Sequence, residues 1–253
     1  MVAVKRLVYT NEVLLGDSLC TLPAIYEYAK DHKFDLWIEN PGVRCLIIDH
    51  ENINLLKECP IKKVYDHVIE TDISKLFMNC HSIEHMTQSH FREFNLPIPD
   101  QPIRPLIKFE SHLLAGKYFI ISPFSKSGVN TKEWPYDKWN EIINSLKSYG
   151  SIIILGSKEY LYDNPDGVFG NDVTYLYDRP LDELSDIIDN SELVISIDNG
   201  ISHLTYAIGA KHILLYPKIL PECWVRNPEA VLLKGVPDDL SVETVWEAIK
   251  KFI

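Results

Sequence analysis

The stretch Ile195-Ser-Ile-Asp198-Asn199-Gly200-Ile-Ser-His203-Leu-Thr-Tyr-Ala-Ile-Gly209 reads as a buried strand running directly into a helix. The Asp-Asn-Gly turn leaves backbone N–H groups unpaired at the helix start, and His203 falls in the first turn beside them. A helix start with free N–H groups and partial positive charge is a natural place for phosphate, and Gly200 would let a diphosphate come close to the backbone. The plainer reading is an ordinary capped helix, with Asp198 or Asn199 as the cap and His203 turned into packing.

On either side of it, short apolar runs rich in β-branched and aromatic residues recur at Arg6–Tyr9, Phe34–Ile38, Tyr118–Ser122, Ile152–Leu155, Val173–Tyr177, Leu193–Ile197, His212–Tyr216 and Val231–Leu233. Several are separated by segments of helical period. Trp139, Ile142, Ile143 and Leu146 share one face, Leu181, Leu184, Ile187 and Ile188 another, and Val242, Val245, Ile249 and Phe252 a third, with Ser241 as N-cap. Strands alternating with amphipathic helices predict parallel βαβ units, so residues from about 117 onward form an α/β domain.

The first third is less regular. A strand at Arg6–Tyr9 leads to a helix expected from about Thr21 to His32, with Pro23 in its first turn, and then to a strand at Phe34–Ile38. Strand-like pieces follow at Cys45–Asp49 and Val64–Ile69, and the polar stretch Asp72 to Phe94 has no clear assignment. Pro97, Pro99, Pro102 and Pro105 then form a stiff segment that suits neither a sheet interior nor a helix. The expected division is a first lobe over 1–108 and a second over 109–253. Ligand is expected in a cleft between two such lobes, at the carboxyl ends of parallel strands. No internal repeat or low-complexity tract is present.

Composition limits the function. The 253 residues are 46% hydrophobic, with formal net charge −11 and pI near 5.3, which excludes disordered and fibrous classes. Residues 1–150 carry 17 basic and 19 acidic side chains, whereas 151–253 carry 8 and 17. That balance disfavours duplex nucleic acid as a partner, which is held by Lys and Arg on phosphates, but leaves room for a small anion on local donors. Met1 to Thr10 lacks the apolar core of a secretion signal, and no segment reaches the ~20 apolar residues needed to span a bilayer. The expectation is a soluble cytoplasmic protein without an integral membrane segment, a peripheral place at the inner membrane being the alternative. The five cysteines, Cys20, Cys45, Cys59, Cys80 and Cys223, form no C-x-x-C pair and read as reduced thiols.

Two further segments carry candidate chemistry. Ser122-Pro-Phe-Ser125-Lys-Ser127-Gly128-Val-Asn-Thr-Lys132-Glu-Trp134-Pro135 follows a strand and combines hydroxyls, a permissive glycine and a lysine, groups suited to an anionic leaving group. Trp134 and Pro135 open the next helix and fix where Lys132 points; the bland reading is a solvated loop. Leu15-Gly16-Asp17-Ser18-Leu-Cys-Thr-Leu-Pro23 places a carboxylate after the first strand, either as a general base or as a helix cap. His81-Ser-Ile-Glu84-His85 matches H-x-x-E-H but lacks a third ligand, so no metal is expected there. Asp198, Ser202 and His203 do not make a hydrolase triad, because adjacent helical positions do not face one another. No G-x-G-x-x-G, P-loop lysine or Asp-x-Asp is present, which argues against NAD, kinase-type and metal-dependent chemistry.

Taken in order, these segments resemble the ADP-heptose:lipopolysaccharide heptosyltransferase family, glycosyltransferase family 9. The resemblance rests on Gly16-Asp17 with Leu22-Pro23, Lys132-Glu-Trp134-Pro135, Leu155-Gly156, Leu181-Asp-Glu-Leu184, and Asp198-Asn-Gly200-Ile-Ser-His203-Leu-Thr-Tyr-Ala207. It covers nearly all of residues 117–220 and the first thirty. It implies an α/β GT-B fold of two Rossmann-like lobes, parallel sheets facing a central cleft, an acceptor-side first lobe and a nucleotide-sugar-binding second lobe.

The implied activity is inverting, metal-independent sugar transfer, heptose-like or otherwise, from a nucleotide-sugar donor to a glycan or other hydroxyl acceptor, without a cofactor. Asp17 would be the general base. Lys132 and the Asn199–Gly200 helix start would stabilise the departing diphosphate. Ser125, Ser127, Gly128 and His203 would line it, and Asp198 would hold the turn or a sugar hydroxyl. The Gly156–Glu159 and Asp178–Leu181 regions would flank the nucleoside. Two departures stand out: Asn199 occupies the family's usual threonine position, and the first lobe is short. The short lobe leaves open a noncatalytic nucleotide-sugar-binding protein, and a GT-B-like epimerase or hydrolase acting on the nucleotide sugar alone is a further alternative.

Overall fold

The computed structural model describes residues 4–72, 85–112, 116–125, 129–158, 168–218, 220 and 227–253. The chain divides into two compact units, Met1–Lys108 and Phe109–Ile253.

The first unit is built on β1 (Arg6–Thr10), β2 (Phe34–Ile38), β3 (Ile53–Leu55) and β4 (His67–Thr71), ordered β3-β2-β1-β4. All pairings are parallel, with Val8 opposite Leu36 on one side and Ile69 on the other. Connections run through α1 (Leu15–Ala29), α2 (Pro41–Arg44), a 3₁₀ turn at Lys62–Val64 and α3 (Met86–Glu93).

Here the structure corrects the sequence reading in several places. Helix α1 starts six residues before the expected Thr21, so Pro23 lies inside it and not in its first turn. The carbonyl of Leu19 therefore receives no bond from position 23. Packing offsets that loss, since every residue from Ser18 to Ile25 is buried. Cys45–Asp49 forms no strand. Asn40 caps the preceding turn, its Oδ1 accepting from the N–H groups of Gly42 and Val43 at 3.0 and 3.3 Å, and Pro41 supplies the preset φ of a first helical position. The Val64–Ile69 run splits into the end of the 3₁₀ turn and the start of β4. The proline-rich segment has no regular structure and is tied to the first unit, where Gln88 Nε2 donates to the Pro99 carbonyl at 2.7 Å and the Lys108 N–H to that of Leu46 at 2.7 Å.

The second unit contains β5 (Tyr118–Ser122), α4 (Val129–Lys132), α5 (Tyr136–Leu146), β6 (Ser151–Gly156), β7 (Thr174–Tyr177), α6 (Leu181–Asp189), β8 (Leu193–Ile197), α7 (Gly200–Ile208), β9 (His212–Pro217), β10 (Val231–Val236) and α8 (Val242–Ile249). Its six parallel strands run in the order β10-β9-β8-β5-β6-β7, the doubly wound pattern that reverses direction between β5 and β8. The central strands β5, β8 and β9 are buried along their whole length, which is why they read as unbroken apolar runs. Phe119, Ile121, Ile195, Ile197, Ile213 and Leu215 pack with Trp139, Ile142 and Ile143 of α5 and Val245 and Ile249 of α8. Their neighbours of opposite parity, Ile120, Val194 and Leu214, are equally buried on the other side of the sheet.

Candidate functional site

In an open parallel sheet, ligands bind beyond the carboxyl ends of the strands where the order reverses. In the second unit that point lies between Ser122, ending β5, and Asp198, just past β8. Asn199 joins the two. Its Oδ1 accepts from the Ser202 N–H at 3.1 Å, capping α7, while its Nδ2 donates to the Ser122 carbonyl at 3.2 Å, to Ser122 Oγ at 2.9 Å and to the Phe124 carbonyl at 2.9 Å. A threonine could cap the helix but could not supply those donations. The amide is thus committed to the turn, and what α7 offers an anion is its backbone start at Gly200. His203 is buried one turn further on.

Among the described residues of this region, Lys132 supplies the positive charge. It ends the short helix α4 and its Nζ lies 2.7 Å from Asp198 Oδ2, with side chains only 20% and 10% exposed. The ammonium is held at the mouth of the α7 start by a carboxylate from the same turn. Two residues further along the chain lies the anchor that fixes its approach: Trp134 is buried, its Nε1 donating to the Leu240 carbonyl at 3.0 Å and its ring meeting Trp139 edge to face at 5.2 Å.

Glu133 escapes sequence reasoning although it lies inside the quoted loop. Its Oε1 accepts from the Ser125 N–H at 3.0 Å, pinning the loop after β5, and burial pushes its carboxyl above the usual range. Ser125 is buried there. Ser127, Gly128 and Glu159 lie outside the described residues. Gly156 is explained by packing, since a Cβ would come 2.9 Å from Phe124 Cδ2 and 3.4 Å from Tyr177 Cε1. Beside it, Asp178 adopts φ 53 and accepts from Ser157 Oγ at 2.6 Å.

In the first unit the strand order reverses between β1 and β4, and Asp17 lies beyond that edge, half-buried in the first turn of α1. It is not the helix cap: Leu14 occupies that position without a side-chain bond. The turn is held instead by Ser18 Oγ, donating to the carbonyls of Glu12 and Leu14 at 2.8 and 3.0 Å. Of the H-x-x-E-H stretch, His81 and Glu84 lie outside the described residues. His85 caps α3, its Nδ1 accepting from the Thr87 N–H at 3.2 Å, a reciprocal box completed by Gln88.

Residues 63–228 match the family described as glycosyltransferase family 9 (heptosyltransferase). The chain belongs to glycosyltransferase family 9. This family-9 member is thereby a glycosyltransferase using a nucleotide-sugar donor, and the solved structures agree in fold. The E. coli heptosyltransferase WaaC with ADP-2-deoxy-2-fluoro heptose superposes at a TM-score of 0.67 and 18% identity, over 97% of this chain and 99% of that one. A family-9 glycosyl transferase from Veillonella parvula gives 0.72 at 15% identity, covering 98% and 97%. TibC from enterotoxigenic E. coli, described as an iron-containing dodecameric glycosyltransferase, gives 0.70 at 17% identity, over 89% of this chain and 62% of TibC. No curated protein matches the sequence of this glycosyltransferase. Among its described residues no group of three or more His, Cys, Asp or Glu side chains could hold a metal ion, and no helix is long and apolar enough to cross a membrane.

Proposed function

We propose that this glycosyltransferase transfers a sugar from a nucleoside-diphosphate donor to an acceptor hydroxyl in one inverting displacement, with the second unit holding the donor and the first carrying the base. Asp17 takes the hydroxyl proton as the acceptor oxygen forms its bond to the anomeric carbon. The bond from that carbon to the diphosphate oxygen breaks, and the nucleoside diphosphate leaves with the electron pair. The charge growing on the leaving group is met by the Lys132 ammonium and the α7 start, fixed donors that do the work of a cation in a metal-independent transfer.

The observation that carries the reading is Lys132 held 2.7 Å from Asp198 at the start of α7, at the point where the strand order reverses. Incoming diphosphate replaces Asp198 as the partner of Lys132 or shares it. ADP-heptose is the first donor to test, because solved relatives of the same fold carry ADP and an ADP-heptose analogue.

The test is calorimetric titration with ADP together with ADP release from ADP-heptose in the presence of lipopolysaccharide-core acceptors and EDTA. Lys132→Ala is expected to weaken ADP binding at least tenfold, and EDTA to leave the rate unchanged. Unaltered ADP affinity in that variant would overturn the phosphate assignment.

A further inference from the structure

Glu12 lies in the turn between β1 and α1 and is only 3% exposed, an unusual fate for a carboxylate. Its two side-chain oxygens lie 2.8 and 2.7 Å from Thr71 Oγ1, the hydroxyl of the last residue of β4, itself fully buried. Its backbone carbonyl accepts from Ser18 Oγ at 2.8 Å, one residue past Asp17. One residue thus grips the sheet with its side chain and the start of α1 with its backbone. Helix α1 has no side-chain cap of its own, so this grip stands where a cap would. Neighbouring ties complete it: Asn40 Nδ2 donates to the Val13 carbonyl at 2.7 Å and the Asn11 N–H to the Thr71 carbonyl at 3.4 Å.

Among the described residues, the titratable groups that act on Glu12 are His90 and Glu93 of α3. His90 is fully buried, its Nδ1 2.7 Å from Glu93 Oε2, and Glu93 Oε1 accepts from the Asp72 N–H at 3.1 Å. Burial pushes the Glu12 carboxyl up, while His90 and the Thr71 hydroxyl pull it down. Packing alone does not call for a carboxylate here, since an apolar side chain would avoid the desolvation penalty. A strong acceptor for the Thr71 hydroxyl is what the position supplies.

We infer that Glu12 is a positioning residue for the transfer: through Thr71 and Ser18 it fixes the turn that presents the Asp17 carboxylate. The inference rests on Asp17 being the base, and its test separates the two claims. Glu12→Ala, Thr71→Val and Thr71→Ser are compared in the full chain by amide hydrogen exchange over residues 11–18 and by ADP release from ADP-heptose.

Glu12→Ala and Thr71→Val are expected to speed exchange of the Ser18 amide at least tenfold and to lower kcat at least tenfold, with the donor KM within twofold of the parent. The double variant should be no slower than the slower single, and Thr71→Ser, which keeps the hydroxyl, should recover most of the lost rate. A role in packing alone would leave Thr71→Val, which keeps the side-chain volume, at the parental rate, and general loosening of the unit would raise the donor KM along with lowering kcat. Parental exchange at residues 11–18 in both Glu12→Ala and Thr71→Val overturns the inference whatever the donor. If Asp17→Asn turns over at the parental rate, the base assignment falls instead, and the exchange result still decides whether Glu12 holds the turn.

Discussion

Asn199 shows how one residue can serve fold and site together. Its side chain caps α7 and donates to Ser122 and Phe124, so Asn199→Ala leaves a helix start uncapped and removes the donor that three acceptor atoms share. The expected cost is about 1–3 kcal/mol of stability, read from denaturant midpoints, with ADP affinity falling as the α7 start loosens. His212 gives a pH prediction. Its Nε2 lies 2.8 Å from Ser196 Oγ and its Nδ1 2.7 Å from Asn227 Nδ2, and burial lowers its pKa to about 3. The unfolded chain, titrating near 6.5, binds the proton that the folded chain refuses. Stability should therefore fall as pH drops below about 6.5, by up to about 1.4 kcal/mol per pH unit from this group. His212→Gln should flatten that slope in urea titrations between pH 7.5 and 5. Glu12 runs the other way: a raised carboxyl favours the fold most below its unfolded value and loses that contribution as pH rises through the folded one.

Among the elements, the end of β6 carries a glycine with a steric reason. Gly156→Ala would drive a Cβ to 2.9 Å from the buried Phe124 ring, which packs against Phe169 and Tyr136 and cannot withdraw freely. A loss of about 1–3 kcal/mol is expected in thermal or urea unfolding. The sheet around it shows what periodicity can reveal. Strands buried on both faces are legible because they must be continuous apolar runs, and Phe34–Ile38, Tyr118–Ser122 and Leu193–Ile197 are strands with those bounds. The start of α1 is not legible in the same way, because proline is normally a first-turn residue and only the packing around Pro23 shows why an interior one is tolerated. Cys45–Asp49 has the composition of a strand, but the Asn40 cap and Pro41 set a helical turn just before it.

At the scale of the whole molecule, base and leaving-group site are proposed for separate compact units, so their losses should separate in experiment. Asp17→Ala is expected to lower turnover of ADP-heptose by at least a thousandfold while ADP still raises the unfolding midpoint as in the parent, a ligand at a hundred times its Kd adding about 2.7 kcal/mol. A variant losing both together would show the two functions to be inseparable. The alternation of strands and helices, the family, and the positions of Asp17, Lys132 and the Asp198–His203 turn can all be read from the chain alone, because each is written in local pattern and spacing. Which partners those residues take is settled only by tertiary structure. The Lys132–Asp198 pair spans 66 positions and the Glu12–Thr71 bond 59, and the Asn199 amide reaches back across the sheet to Ser122. Contacts of that range come from the order in which parallel strands are laid side by side, a choice made by burial of the whole sheet and not by any single segment.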